Sequence, residues 1–400
     1  MLRELLAASH LMSMEQLPDA VAGPAAKAGL QDVVIYVVDL QQTVLRLLPG
    51  RGPDAGTEAE LKIDRTVAGR AFQTVRPVLG QVFDDGTCQY WAPILDGTER
   101  IGVLRVTIRR EDENARRETG CLASLVALMI VSKRPYSDGY ARLVRTREMS
   151  VSAEMQWRMM PPLTFANDQV AIGAALEPAY RLGGDAFDYA LAGDIVHLSV
   201  FDAMGHDTAA GLTSNLAVAT GRNSRLQGTV LRDVGRRIEE VLLERDTSGR
   251  FVTAVLADLN LRTGMFSWVL HGHPAPVVIR GGRWVTTFQC EPGHPLGTDL
   301  GVPARVCAEQ LEPGDRVLLY TDGIVEARDP EKAEFGLDRF VDFIIRHNAA
   351  GLPVPETLRR LIHSILGHHA GRLDDDATVL VLEWHGTSAR TDAEQAVRQT

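Results

Sequence analysis

Apolar positions follow two periodicities over the first 110 residues. A helical pattern predicts helices over 2–14, 17–28 and 64–74. Runs of β-branched and other apolar residues predict strands over 32–39, 44–48, 90–94 and 101–106. Asp96-Gly97 lies between the last two strands and is typical of a hairpin turn. Together these elements predict a small α/β module.

The next segment carries an apolar stripe at helical spacing. Its members are Leu122, Leu125, Val126, Met129 and Ile130. Pro135 interrupts a continuous helix, and a charged helical pattern resumes over 138–160 before Pro161-Pro162 ends it. Two interpretations remain open: an amphipathic helix packed on its own domain, or a signalling linker that pairs with its copy in a dimer.

From about residue 165 the pattern changes to many short strands. Strands are predicted over 170–176, 186–191, 195–201, 251–261, 265–270, 276–279, 284–288, 316–320 and 377–384. Helices are predicted over 207–226, 230–245, 335–347 and 355–368. Many strands with two helix pairs predict an α/β (α+β) fold in which two sheets carry helices on their outer faces, an α-β-β-α layered sandwich.

Four aspartates lie in four separate motifs of this second half. They are Gly183-Gly184-Asp185, Asp202-Ala203-Met204-Gly205-His206, Thr321-Asp322-Gly323 and Asp375-Asp376-Ala377-Thr378. Three lie at or next to the end of a strand-like run, and the fourth precedes one. Aspartates at strand ends can converge in space, and a cluster of carboxylates needs cations because like charges repel. Oxygen ligands favour Mg²⁺ or Mn²⁺.

A single aspartate of this kind is ordinarily a turn residue or a helix cap, and only the four together favour a site. Other phosphate or metal sites lack their motifs in this chain. There is no twelve-residue calcium loop, no Gly-x-x-x-x-Gly-Lys-Ser/Thr loop and no His-Glu-x-x-His.

Composition narrows the class of protein. The chain has 400 residues, which favours two domains, and its net charge of −10 argues against nucleic-acid binding. No apolar run is long enough for a membrane span, and the first residues lack a signal-peptide layout, so a cytoplasmic protein is expected. The four widely spaced cysteines (Cys88, Cys121, Cys290 and Cys307) are expected to be buried, reduced thiols.

The C-terminal motifs, together with 270–276, occur in the order seen in metal-dependent serine/threonine phosphatases of type 2C. Residues 155–385 most resemble the bacterial sporulation and stress-response branch of that family, SpoIIE/RsbU-like, and 155–162 resembles its helical segment before the first strand. The resemblance implies that Asp202 bridges two Mn²⁺ or Mg²⁺ ions and that the Ala203 carbonyl joins one. It implies that Asp185 serves the same ion and that Asp322 and Asp375 hold the other.

These four aspartates are therefore the expected catalytic residues: Asp185, Asp202, Asp322 and Asp375. The metals would activate a water for attack on phosphorus, so no covalent nucleophile is needed. Position 207 is Asp where the family usually has Gly. Arg181 is a candidate phosphate contact. Four histidines (His206, His271, His273 and His294) are candidates for proton transfer, although packing roles are the simpler interpretation.

Residues 5–130 resemble a GAF sensor domain through 63–72 and through 91–94 leading into 101–104. The expected organisation is a GAF-like domain over 1–130, a helical linker over 131–162, a phosphatase domain over 163–386 and a disordered tail over 387–400. The N-terminal module would sense a small-molecule or protein signal, or it would only hold a homodimer together. The residues do not separate these two roles.

The resemblance implies a phosphatase that acts on phosphoserine or phosphothreonine of an anti-anti-sigma, STAS-type protein. The alternative from another class is a pseudophosphatase that binds partners with little turnover. The presence of all four aspartates favours the enzyme.

Overall fold

The computed structural model describes residues 2–50, 58–181, 183–205, 207–245, 249–328, 331, 333–368, 373 and 375–386. The chain divides into two compact units, Met1–Glu148 and Met149–Thr400. The predicted tail over 387–400 lies outside the described residues. The predicted boundaries at 130 and 162 stay predictions, and the division between the units falls inside the predicted linker.

The first unit contains five helices and six strands among its described residues. The helices are α1 Leu2–Ser9, α2 Leu17–Lys27, α3 Val67–Thr74, α4 Glu113–Lys133 and α5 Asp138–Leu143. The strands are β1 Gln31–Val38, β2 Val44–Leu47, β3 Glu60–Lys62, β4 Val78–Val82, β5 Cys88–Asp96 and β6 Glu99–Ile108. Two short 3₁₀ helices, Met14–Gln16 and Arg134–Tyr136, join helices along the chain.

The six strands form one antiparallel sheet in the order β3-β2-β1-β6-β5-β4. Helices α1, α2 and α4 cover one face, where Leu17, Val126 and Leu104 share a buried core. Helix α3 covers the other face and packs Phe72 against Trp91. The predicted β5–β6 hairpin through Asp96-Gly97 is confirmed. The GAF-like assignment stays a prediction.

The second unit contains helices on both sides of two sheets. The helices are α6 Val151–Met159, α7 Thr208–Leu226, α8 Leu231–Glu244, α9 Asp322–Val325, α10 Leu337–Ala349 and α11 Val354–His368. The strands are β7 Thr164–Ala166, β8 Val170–Glu177, β9 Asp185–Ala192, β10 Ile195–Ala203, β11 Val252–Asn260, β12 Met265–His271, β13 Val277–Arg280, β14 Arg283–Thr287, β15 Cys307–Gln310, β16 Arg316–Tyr320 and β17 Ala377–Trp384.

Two antiparallel sheets pack face to face, in the orders β15-β12-β11-β10-β9 and β14-β13-β16-β17-β8-β7. The core between them takes Phe187 and Val255 from the first sheet and Val317 and Leu380 from the second. Helices α7 and α8 cover the outer face of the five-stranded sheet, and α10 and α11 cover that of the six-stranded sheet. The predicted α-β-β-α sandwich is confirmed.

The structure changes two details of the predicted elements. The helix predicted over 138–160 is broken: α5 ends at Leu143, and α6 begins after Ser150, whose hydroxyl accepts a hydrogen bond from Ala153 N–H. The short strands β3, β4, β7 and β15 were not predicted. Strands of three to five residues at sheet edges carry too few positions for an alternating pattern to stand out.

The prediction of four buried, reduced cysteines is wrong. Cys290 and Cys307 form a disulfide, and Cys121 is exposed, which leaves Cys88 as the buried thiol. The pairing arises because β15 lies beside β12 with Cys307 opposite Trp268, and this register brings Cys307 to the loop that follows β14. Spacing along the chain does not reveal such a contact. Within the described residues, no helix combines the length and apolarity required to cross a membrane.

Candidate metal centre

The first two aspartates are neighbours across one hairpin. Strands β9 and β10 pair antiparallel, and the register places Asp185 directly opposite Asp202. Asp185 begins β9 and is buried, whereas Asp202 lies one residue before the end of β10 and is half-buried. The hairpin turn is at the far end of the pair, so both carboxylates lie at the same edge of the five-stranded sheet.

The other two motifs meet across the second sheet in the same way. Strands β16 and β17 pair antiparallel with Tyr320 opposite Val379. Asp322 follows the end of β16, and Asp375 precedes the start of β17, so both lie at one edge of the six-stranded sheet. Asp322 is half-buried and Asp375 is exposed.

A buried hydroxyl joins the two edges. Thr321 Oγ1 donates a hydrogen bond of 2.7 Å to Asp185 Oδ2, and it accepts one of 2.9 Å from the N–H of Thr378. Thr321 and Thr378 are both fully buried. The four predicted aspartates therefore lie at one end of the sandwich, where the two sheets are connected.

Asp376, which the sequence analysis did not select, organises the glycine loop before β9. Its Oδ2 accepts hydrogen bonds from the N–H groups of Gly183 at 2.8 Å, Gly184 at 2.7 Å and Asp185 at 3.3 Å. The side chain is 4% exposed, so these bonds form away from water. Asp376 was visible in the sequence as part of the motif Asp375-Asp376-Ala377-Thr378. The sequence does not reveal that its side chain contacts a loop 193 residues earlier in the chain.

Glycines allow the backbone segments to approach each other at this end. A Cβ atom at Gly184 would lie 2.1 Å from the carbonyl oxygen of Ala203. A Cβ atom at Gly323 would lie 1.9 Å from the carbonyl oxygen of Asp376. Real side chains do not tolerate such distances, so both positions require glycine. The first contact places the Ala203 carbonyl, a predicted ligand, beside the loop that leads into Asp185.

Gln156 of α6 supports the same loop from the other side. Its Nε2 donates hydrogen bonds of 2.9 Å to the carbonyl oxygens of Gly183 and of Asp185, and the side chain is fully buried. Gln156 was visible only as one polar position of a short helix. Its contact with the loop becomes apparent from the packing of α6.

Burial and mutual repulsion raise the pKa values of the acidic cluster. Burial, followed by the charges of Asp202 and Asp376, raises the pKa of Asp185 well above its ordinary value of 3.8. Burial and then the charges of Asp322 and Asp375 raise the pKa of Asp202 to about 7. Burial is also the main cause that raises the pKa values of Asp322 and Asp376. These carboxylates are therefore close enough to destabilise each other's charged forms.

This donor set fits divalent cations with a preference for oxygen. The described residues include no group of three or more His, Cys, Asp or Glu side chains arranged to hold an ion as it stands. Carboxylate oxygens with a backbone carbonyl are the ligands that Mg²⁺ and Mn²⁺ take. Asp185, Asp202, Ala203, Asp322 and Asp375 could supply them.

Asp207, which stands where the family that the sequence resembles usually has Gly, has a clear structural role. It caps the N-terminus of α7, where its Oδ1 accepts a hydrogen bond of 2.9 Å from the N–H of Ala210. Its Oδ2 forms an ion pair of 2.8 Å with Arg250, a residue that the sequence analysis did not single out. Arg250 also donates to the carbonyl of Met204, at 2.9 Å.

The other candidate residues have more ordinary surroundings. Arg181 is exposed, and His206 lies outside the described residues. Burial lowers the pKa of His271 to about 4 and that of His273 to about 3, so both are neutral at pH 7. His294 contacts the carbonyl of Val302 at 2.8 Å. A phosphate contact by Arg181 and proton transfer by the histidines stay predictions.

Comparison with known proteins finds similarity to one protein family within the second unit. Residues 192–385 match the family model described as Stage II sporulation protein E (SpoIIE). The chain is 23% identical over 329 residues to Protein IcfG of Synechocystis sp. (strain ATCC 27184 / PCC 6803 / Kazusa), which covers 72% of this chain and 51% of that protein. It is 22% identical over 236 residues to Phosphoserine phosphatase RsbU of Bacillus subtilis (strain 168), which covers 59% of this chain and 69% of that protein. The chain thus spans about half the length of IcfG.

Solved structures also show similarity to the chain. The SiaA-PP2C domain of Pseudomonas aeruginosa has a TM-score of 0.49 and 18% identity, covering 58% of this chain and 94% of that one. The RsbU and RsbW domains of Rv1364c from Mycobacterium tuberculosis have a TM-score of 0.47 and 22% identity, covering 60% of this chain and 71% of that one.

Proposed function

We propose that this chain is a metal-dependent protein phosphatase acting on phosphoserine or phosphothreonine, on the basis that residues 192–385 match the family model described as Stage II sporulation protein E (SpoIIE). One observation carries the proposal. Aspartates from four separate segments lie at one end of the sandwich, where burial and then repulsion from neighbouring carboxylates raise the pKa values of Asp185, Asp202 and Asp322. Such an arrangement is costly to folding unless cations offset it, which is typical of a functional site.

The residues of the chain have distinct parts in this proposal. Asp202 and Asp185 would hold one cation and Asp322 and Asp375 the other, with Asp202 shared and the Ala203 carbonyl completing the set. Two Mn²⁺ or Mg²⁺ ions, when bound, supply Lewis-acid activation of water and neutralise charge on the phosphoryl oxygens. Thr321 and Asp376 orient the ligand-bearing segments through buried hydrogen bonds. No side chain has to form a covalent bond to phosphorus.

The first test is p-nitrophenyl phosphate hydrolysis by the full chain with Mn²⁺, with Mg²⁺ and with a chelator. We expect turnover with metal and none with chelator. Asp202→Asn and Asp322→Asn should each lower kcat by at least about 100-fold, the size of effect found when a charge-stabilising group is removed from an active site. Asp342→Asn, an exposed aspartate on α10, is the matched control and should keep wild-type turnover. Equal rates in the wild type and both site variants would contradict the metal centre.

The proposed substrate is a phosphorylated anti-anti-sigma, STAS-type protein. The support is the SpoIIE family match together with the relative named Phosphoserine phosphatase RsbU. Phosphate release from a serine-phosphorylated STAS-domain protein should have a higher kcat/KM than release from p-nitrophenyl phosphate or from a phosphotyrosine peptide. If the phosphoprotein is not a substrate while the small ester is, the enzyme acts on another class of phosphate ester.

The first unit is proposed to regulate the phosphatase and to hold a homodimer together. The second unit has its own cores, so a chain beginning at Met149 is expected to fold by itself. A difference in kcat between this chain and the full chain would support regulation. Equal kcat with a dimer only in the full chain, measured by light scattering, would indicate a scaffold.

A further inference from the structure

We propose that Arg250 and Asp207 form a positioning pair that holds the turn at residues 203–205, directly after Asp202, in the shape required for metal binding. This inference rests on the proposed function, because the turn carries the Ala203 carbonyl and directly follows Asp202. Neither Arg250 nor Asp207 is placed among the ligands. Their role is to fix the backbone that presents the ligands.

The contacts of Arg250 span the turn. Its Nη1 donates to the carbonyl oxygen of Met204 at 2.9 Å, and its Nη2 donates to Asp207 Oδ2 at 2.8 Å. The residue after Arg250 also contacts the turn, since the carbonyl of Phe251 accepts a hydrogen bond of 3.0 Å from the N–H of Met204. The planar guanidinium can hold two acceptors at fixed angles, which an ammonium group cannot.

The turn needs this external support because it contains a glycine. Gly205 has φ +93 and no side chain, so the backbone at that point is conformationally permissive. A Cβ atom there would lie 2.9 Å from Arg250 Nη1, so the arginine packs directly on the glycine.

The pair should affect metal affinity more than folding. The exposed fraction of the side chain is 22% for Arg250 and 58% for Asp207, and exposed ion pairs stabilise folded proteins little. Residues that orient metal ligands typically change metal affinity by about 10- to 100-fold when they are removed. We therefore expect Mn²⁺ to bind about tenfold more weakly without the pair, with kcat at saturating Mn²⁺ nearly unchanged.

The experiment uses the full chain with Arg250→Ala, Arg250→Lys, Asp207→Ser and the Arg250→Ala/Asp207→Ser double variant. Serine keeps a good capping oxygen for α7 but is too short to reach the arginine, so it isolates the ion pair from the cap. Lysine restores the charge without the two-pronged geometry and should rescue only part of the affinity. The control is Arg236→Ala, which removes an exposed ion pair of 2.8 Å with Glu240 on α8.

Two measurements decide the inference. Calorimetry gives the Mn²⁺ affinity of each variant, and hydrogen exchange of the metal-free protein gives the protection of the amides of 204–210. The expected result is weaker Mn²⁺ binding and faster exchange in Arg250→Ala and in Asp207→Ser, with the double variant no worse than either. Unchanged exchange at 204–210 in Arg250→Ala and Asp207→Ser would overturn the positioning pair. Absence of Mn²⁺ binding by the wild type would instead overturn the proposed function, because exchange tests the pair without metal.

Discussion

The hydroxyl of Thr321 donates a hydrogen bond of 2.7 Å to the carboxylate of Asp185, and this bond connects the two sheets of the second unit. Asp185 begins a strand of the five-stranded sheet, and Thr321 follows a strand of the six-stranded sheet. The same hydroxyl accepts a hydrogen bond from the N–H of Thr378. One buried group therefore links the segments that carry the two pairs of aspartates.

Thr321→Val should destabilise the protein and weaken metal binding. The substitution keeps the shape of the side chain but leaves the Asp185 carboxylate and the Thr378 N–H without this partner. We expect the free energy of unfolding to fall by about 1–3 kcal/mol, the usual cost of an unsatisfied buried group. Urea unfolding measures the loss, and Mn²⁺ titration measures the affinity. Thr321→Ser keeps the hydroxyl and should remain close to wild type; equal stability of the Val and wild-type proteins would contradict the role of the bond.

Asp376→Ala should disrupt the glycine loop although Asp376 is not a predicted ligand. The carboxylate accepts hydrogen bonds from the N–H groups of Gly183 and Gly184. These bonds are buried away from water, which could otherwise replace the lost acceptor. Losing the acceptor is expected to cost about 2 kcal/mol or more of unfolding free energy. Asp376→Asn also removes the charge that repels Asp185 but keeps one acceptor oxygen, so its loss should be smaller. Chemical unfolding of the two variants checks this order, and equal losses would contradict the role of the hydrogen bonds.

Gly184→Ala should abolish turnover. The added Cβ atom would lie 2.1 Å from the carbonyl oxygen of Ala203 and 2.8 Å from that of Gly205, so the turn after Asp202 must move. Both the thermal midpoint and Mn²⁺-dependent turnover are expected to drop. Gly367→Ala is the matched control: it lies in helix α11 with no atom within 4 Å of its added Cβ, and alanine in a helix interior is favoured by about 1 kcal/mol. An active Gly184→Ala protein would show that this close approach is not required.

The buried His271 should make the protein less stable in acid. Burial lowers its pKa from an ordinary value of 6.5 to about 4 in the folded protein. Between these values the unfolded chain binds a proton and the folded chain does not. Stability is therefore fully present above pH 6.5 and falls as the pH drops toward 4. At about 1.4 kcal/mol per pKa unit, the loss is roughly 3 kcal/mol.

His271→Gln provides the comparison, because glutamine does not titrate in this range. The unfolding free energy of the wild type, measured from pH 7 to pH 4, should fall more steeply than that of the variant. Parallel curves would mean that the pKa of His271 is not lowered in the folded protein.

The sequence could predict the candidate metal site because each of its motifs is local. Asp202 and Asp322 each follow an apolar strand pattern and are followed by glycine within three residues, and that order is readable along the chain. The layered sandwich was predictable for the same reason, since alternation within strands and 3.6-residue periodicity within helices depend only on near neighbours. The long helices α7 and α11 and the long strands β10 and β17 were therefore predicted close to their observed bounds.

Contacts between distant segments were decided by the tertiary structure. Asp376 with the loop at 183–185, Gln156 with the same loop, Arg250 with Asp207, and Cys290 with Cys307 each join residues that carry no sign of each other in the sequence. The break after Leu143 in the predicted helix is a similar case, because its helical pattern continues through the break. The sequence determined which residues can bind metal, since residue type fixes chemistry. Packing decided which residues hold them in place, since a hydrogen bond or a disulfide depends on distances that exist only once the sheets and helices have assembled.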